Sequence, residues 1–114
     1  RGIPVGLGTD TGCPFITHYD MWRELCYFVK YCGVTPTFAL HTATLRNAQL
    51  AGLGGETGSI EEGKCADLIA CRENPLEGFT ALRELELVVR GGARSERPQI
   101  KKMPDVEREL DKCL

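Results

Sequence analysis

Residues 3–9 are almost continuously apolar and run into a carboxylate, as Ile3-Pro4-Val5-Gly6-Leu7-Gly8-Thr9-Asp10. That pattern predicts a buried strand of the parallel kind, covered on both faces. It hands Asp10 to a loop over residues 11–16 that contains Gly12 and Pro14. The period then becomes helical: Trp22, Leu25, Cys26, Phe28, Val29 and Cys32 recur as one apolar face. A helix is predicted to start near Thr17, with Thr17 as cap and Asp20 at the third helical position. Gly33 stands where a left-handed residue ends a helix. Thr35-Pro36 opens a second helix to about Leu50, with Thr35 as cap and Pro36 at the first position. Phe38, His41, Leu45 and Ala48 share one stripe of it while Leu40, Ala43 and Leu50 lie elsewhere, as in a helix wedged between two layers. His41 on that stripe reads as a packed core or interface histidine.

After Gly52, Gly54 and Gly55 the pattern turns to short strands. Residues 58–60 and 66–71 read as strands around a turn at residues 61–64. Asn74-Pro75 stops the run, and residues 76–84 form a loop or one helical turn. Residues 86–90 form another strand, closed by a turn at Gly91-Gly92. Residues 93–104 are polar and read as a tail. Asp105 is the expected cap of a short last helix over residues 106–113, with Leu110 and Leu114 facing inward. The boundaries are therefore 1–55, 56–92 and 93–114. Neither large part closes a layer. A single parallel strand needs a crossover partner, and without one it leaves unpaired backbone and an apolar face.

Composition is that of an ordinary globular chain, with 42% hydrophobic and 26% charged residues among 114 and a net charge of -2. It offers neither the clustered basic face that nucleic acid calls for nor the polybasic patch that an anionic membrane calls for. Six cysteines invite a disulfide reading. None forms a C-x-x-C pair, however, and Cys26 and Cys32 on one helix would be roughly 9 Å apart, beyond disulfide reach. The expectation is free thiols in a reducing, cytoplasmic compartment. Cysteine spacing for zinc is absent, and Cys13, close to Asp10, is the one thiol placed to be considered as a nucleophile.

Several motifs occur in a fixed order: Gly8-Thr9-Asp10, Thr35-Pro36, Ala43-Thr44 with Asn47-Ala48, Gly58-Ser59-Ile60-Glu61-Glu62-Gly63-Lys64-Cys65-Ala66-Asp67-Leu68-Ile69, Asn74-Pro75-Leu76 and Val89-Arg90-Gly91-Gly92. In this order the chain resembles the carboxyl-terminal end of the amidohydrolase superfamily, nearest the imidazolonepropionase-like and Xaa-Pro dipeptidase-like enzymes. The resemblance implies an α/β fragment: the last β/α unit of a TIM-like (β/α)8 barrel over residues 1–55, plus part of a small β-sandwich over residues 56–92. It implies a divalent metal, zinc in many members, and a small-molecule substrate whose C–N bond (amide, dipeptide or cyclic amidine) is hydrolysed. Asp10 matches the strand-eight aspartate that touches the metal and takes the proton from the attacking water. His18, at the entry to the first helix, is the candidate substrate contact.

The family's other metal ligands have no counterpart here. The histidines are His18 and His41, in no H-x-H pair, and a catalytic zinc takes three protein ligands. The chain alone is therefore expected to hold no catalytic metal and to hydrolyse nothing. An alternative reading is a stand-alone non-catalytic module of amidohydrolase ancestry that covers its open faces by binding a partner or copies of itself, domain swapping being the expected route to a homo-oligomer. Thr44 and Asn47 are read as helix-packing hydrogen bonders, and Lys64 and Asp67 as structural.

Overall fold

A computed structural model describes residues 2–14 and 16–114; Arg1 and Phe15, the latter inside the loop read over residues 11–16, lie outside the described residues. The chain folds as a small α/β unit of helices beside a three-stranded antiparallel sheet. Helix α1 spans Met21–Cys32 and ends on Gly33, whose left-handed backbone (φ 67°) lets its N–H reach the Val29 carbonyl. The expected start at Thr17 is corrected to Met21. The Thr17 hydroxyl bonds the Asp20 carboxylate at 2.8 Å, and Asp20, at the cap position, makes no cap bond.

The second helix is one continuous rod in three parts: α2 (Pro36–His41), a π-helical turn (Thr42–Arg46) and α3 (Asn47–Leu50). Thr35 caps it by accepting the Phe38 N–H at 3.2 Å, with Pro36 at the first position as the sequence predicts. In the wide turn, Thr42 and Thr44 donate to the Phe38 and Leu40 carbonyls, each at 2.8 Å. The extra residue of such a turn advances the helix face by about 100°. Asn47 and Leu50 then face Gly6, and Ala48 faces Gly58. His41 is exposed, not packed: the stripe it shares is covered at its far end, at Ala48 and partly at Leu45, with Phe38 49% exposed.

In the sheet, β1 (Leu68–Ala70) pairs with β2 (Leu87–Arg90) in the register Leu68 to Val89. Strand β2 turns through Gly91-Gly92 into β3 (Ala93–Glu96), with Arg90 opposite Ala93. Both glycines have positive φ, 54° and 84°, as a two-residue hairpin turn requires. Residues 93–96, read as the beginning of a polar tail, are thus a strand, recruited by that turn despite their polarity. No strand forms at residues 58–60, where Gly58 is held against the rod instead. A 3-10 turn at Phe79–Arg83 fills the loop before β2. The last helix, α4, spans Pro104–Asp111 with Met103 as its cap residue, two residues earlier than expected at both cap and start, because Pro104 takes the first position that suits it. It buries Glu107, while Leu114 is exposed.

Residues 3–9 form no strand. They are extended, but among the described residues no other strand lies beside them. The core is correspondingly small: Leu25, Ala39 and Phe79 with partly buried Leu7, Phe28, Val29, Leu40 and Leu82 around them. Fully burying Leu25 or Phe79 contributes about 1.5–3 kcal/mol each. Ile3 (72%), Ile60 (88%) and Ile69 (55%) remain largely exposed. The accessible surface is 8088 Å², against about 6,200 Å² for a compact monomer of this mass.

Candidate functional site

Asp10 stands at the end of the extended segment, exposed, with its backbone in the left-handed region (φ 52°), uncommon outside glycine, asparagine and aspartate. Two features aim it. The Asn47 carboxamide accepts the Leu7 N–H at 2.9 Å and donates to the Leu7 carbonyl at 2.7 Å, doing for one residue what a neighbouring strand would do. One step earlier the backbone lies directly on α3: a Cβ on Gly6 would stand 2.8 Å from Asn47 Oδ1 and 3.0 Å from Leu50 Cδ1. Beyond Asp10 the loop tightens locally, with Thr11 bridged to Cys13 and the Ile16 N–H on the Cys13 carbonyl at 3.2 Å.

The Cys13 thiol points at Asp10, with Sγ 3.6 Å from Oδ2. A carboxylate neighbour is the opposite of the cationic surroundings that activate a cysteine nucleophile, so this contact gives Cys13 no activation. His18 is exposed in the same loop, and among the described residues no hydrogen bond joins it to Asp10. Asp10 offers a hard oxygen donor suited to a divalent cation. Among the described residues no three His, Cys, Asp or Glu side chains gather as a metal-holding group. These residues therefore do not by themselves fit a catalytic metal, which takes three protein ligands.

The far end of the loop is pinned by a cluster that motif reading passed over. The Asp20 carboxylate accepts from Thr17 Oγ1 (2.8 Å), Trp22 Nε1 (3.1 Å) and Arg23 Nε (3.1 Å). Arg23 is 2% exposed and reaches Glu107 Oε2 at 3.3 Å. Its Nη1 lies 2.8 Å from Asp111 Oδ1 but outside hydrogen-bond geometry, and Glu107 Oε1 is buried with no partner. Arg83 completes the set on Glu107 (2.8 Å) and Asp111 (2.9 Å). The guanidinium groups of Arg23 and Arg83 stand 4.5 and 5.4 Å from the Trp22 ring centre. Burial would raise the Asp20 pKa, but the hydrogen bonds from Thr17 and Arg23 and the charge of Arg23 hold it below the ordinary carboxylate range. The hydrogen bond from Arg83 does the same for Asp111. The one sequence signal for this cluster was a run of charges on α4 at helical spacing, which by default reads as a solvated face.

Lys64 and Asp67 do the structural work expected of them. Lys64 Nζ donates to the Gly54 carbonyl (2.8 Å) and Ser59 Oγ (2.6 Å), and Asp67 accepts the Gly91 N–H (2.8 Å). All six cysteines are free. Among the described residues no helix is long and apolar enough to cross a membrane.

Comparison with known proteins agrees with this architecture. The amidohydrolase family profile matches residues 1–94. A crystal structure of a candidate prolidase from Bifidobacterium longum superposes with a TM-score of 0.93 and 44% identity, over 97% of this chain and 27% of that one. A Xaa-Pro dipeptidase with methionine bound in its active site gives 0.76 and 36% identity, over 83% of this chain and 23% of that one. Ochratoxinase of Aspergillus niger is 39% identical over 90 residues, 76% of this chain and 18% of that enzyme. The chain thus spans about a fifth of the length of that curated relative.

Proposed function

The chain belongs to the amidohydrolase family, and on that premise we propose that it is the carboxyl-terminal portion of a metal-dependent hydrolase of C–N bonds. The bond is of amide type, and dipeptides are the first substrates to try. In the complete fold, residues 1–55 supply the last barrel strand, which needs neighbouring strands from outside these residues to form, and the helices after it. The sheet that follows belongs to a small β-sandwich, completed by chain outside these residues. The reading is carried by one observation: an exposed carboxylate at the end of an extended apolar segment that a helix side chain clamps in place of a strand. The surface excess supports it too, since the apolar faces around Ile3, Ile60 and Ile69 are what a larger body would cover.

In this reading Asp10 takes a proton from the attacking water and returns it to the leaving nitrogen, as one group can in both halves of an amide hydrolysis. A divalent metal, with zinc as the first candidate, would lower the pKa of water and polarise the carbonyl. Asp10 would be one of its ligands, and the others would come from outside these residues. His18 lines the same loop and contacts substrate. The isolated chain, in a cytoplasmic setting, would hydrolyse nothing. The exposed surface also favours a second reading, a module that covers itself with its own copies. A discrete oligomer of the 12.6 kDa chain in its source cells would support that reading.

The test is Asp10→Asn in the complete polypeptide, assayed on Met-Pro and on N-acyl amino acids. Loss of a general base lowers kcat by about 10²–10⁴-fold. Full activity in Asp10→Asn would remove Asp10 from the mechanism. A wild-type protein that cleaves none of these bonds would remove the reaction class.

A further inference from the structure

The loop after Asp10 is held at two ends by different parts of the chain. Its near end is clamped to α3 through Leu7 and Asn47. Its far end is Asp20, whose carboxylate gathers Thr17, Trp22 and Arg23 instead of capping its own helix. Arg23 is in turn gripped by Glu107 and Asp111 of α4, more than eighty positions away in sequence. A second link joins the same two regions: the Met103 N–H donates to the Tyr19 hydroxyl at 2.9 Å, just before α4 begins. Helix α4 lies beyond residue 94, where the family match ends.

The arrangement is a poor way to gain stability. It leaves Glu107 Oε1 buried without a partner and Arg23 Nη1 outside hydrogen-bond geometry. Buried ion pairs with such defects are often no better than apolar side chains of the same volume, whereas the directions of their bonds fix geometry. We propose that Glu107 and Asp111, acting through Arg23 on Asp20, are positioning residues for the loop that carries Asp10. On this view the carboxyl-terminal helix is a strut for the reaction site. The inference rests on the proposed role of Asp10.

The test uses the complete polypeptide with Glu107→Gln, and separately Glu107→Gln with Asp111→Asn. Both substitutions keep shape and remove charge, and the single variant serves if the double one does not fold. Hydrogen exchange followed by mass spectrometry reads residues 11–20 and, as a reference, residues 36–50. The expected result is at least fivefold faster exchange in residues 11–20 with residues 36–50 unchanged. Hydrolysis should show kcat at least fivefold lower and KM within twofold. Unchanged exchange in the loop would overturn the proposal. So would equal acceleration in both segments, which marks α4 as merely structural, or a loosened loop with unchanged kcat. A wild-type protein without hydrolase activity would remove the function reading instead, and the exchange data would still decide whether α4 holds the loop.

Discussion

Asn47 and Leu7 are joined by a two-bond ring: the Leu7 N–H lies 2.9 Å from Asn47 Oδ1, and Asn47 Nδ2 lies 2.7 Å from the Leu7 carbonyl oxygen. Forty residues of chain separate them, and both are partly buried. Removing the carboxamide leaves two backbone groups short of partners, at about 1–3 kcal/mol each when buried. Asn47→Ala should therefore lower thermal stability by roughly 1–3 kcal/mol, given the partial burial. Asn47→Asp should do nearly as badly, since a carboxylate can neither donate to the Leu7 carbonyl nor avoid repelling it. Thermal denaturation of both variants checks this, and wild-type stability in Asn47→Asp would mean the ring is not what holds residue 7.

Gly58 sits where the Gly-rich loop meets the rod. A Cβ there would lie 2.7 Å from the Ala48 Cβ and 2.9 Å from the Leu45 Cα, and φ is +93°. Gly58→Ala should destabilise by about 1–3 kcal/mol, the usual range for overpacking. The same change at Gly63 (φ +89°), with nothing near its Cβ, meets only the backbone strain. Chemical denaturation should rank Gly58→Ala below Gly63→Ala, and the reverse order would contradict the close approach.

Two arginine sites separate buried from exposed pairing. Arg23→Ala leaves the buried Asp20 without its cation and Glu107 with Arg83 alone, which should lower stability by about 3–5 kcal/mol. Arg72, with its side chain 76% exposed, pairs with Glu86 at 2.6 Å. Because solvent and salt screen that pair, Arg72→Ala should leave the melting temperature where it is. Equal effects would show that burial does not set the strength of these pairs.

The pH dependence of α4 follows from Asp20 and Asp111, both held below the ordinary carboxylate range in the folded chain. A depressed folded pKa contributes stability that is complete above the unfolded value, about 3.9. That stability disappears as pH falls through the lower folded value. Helix α4 should therefore stay docked from pH 7 down to about pH 4 and loosen only in stronger acid. Hydrogen exchange over residues 104–111, stepped down in pH, reads this directly. Release already at pH 6 would assign the latch to some other group.

The elements legible in the sequence are those whose causes lie within a few residues. Thr35-Pro36 starts a helix because the hydroxyl reaches the N–H three residues on. Gly33 ends one because only a left-handed residue turns its N–H back to Val29. The candidate site residues that the sequence supplied were Asp10, from motif order, and His18 beside it. The clamp that aims Asp10 could not be named, because nothing local says that Asn47 will reach across to Leu7.

What the amino-acid sequence determined by itself was thus the local grammar, the family and one carboxylate at the end of an apolar run. The tertiary structure decided everything that depends on a distant partner. Thr17 lost its capping role because Asp20 was drawn into a cluster with Arg23, Glu107 and Asp111. Residues 93–96 became a strand because β2 offered them an edge across Gly91-Gly92. Residues 3–9 became no strand because, among the described residues, no other strand lies beside them. His41 was left exposed because, among the described residues, no layer covers its part of the rod. Hydrogen bonds and ion pairs are short-ranged in space but indifferent to separation along the chain. A code read residue by residue therefore stops where the fold begins to bring its ends together.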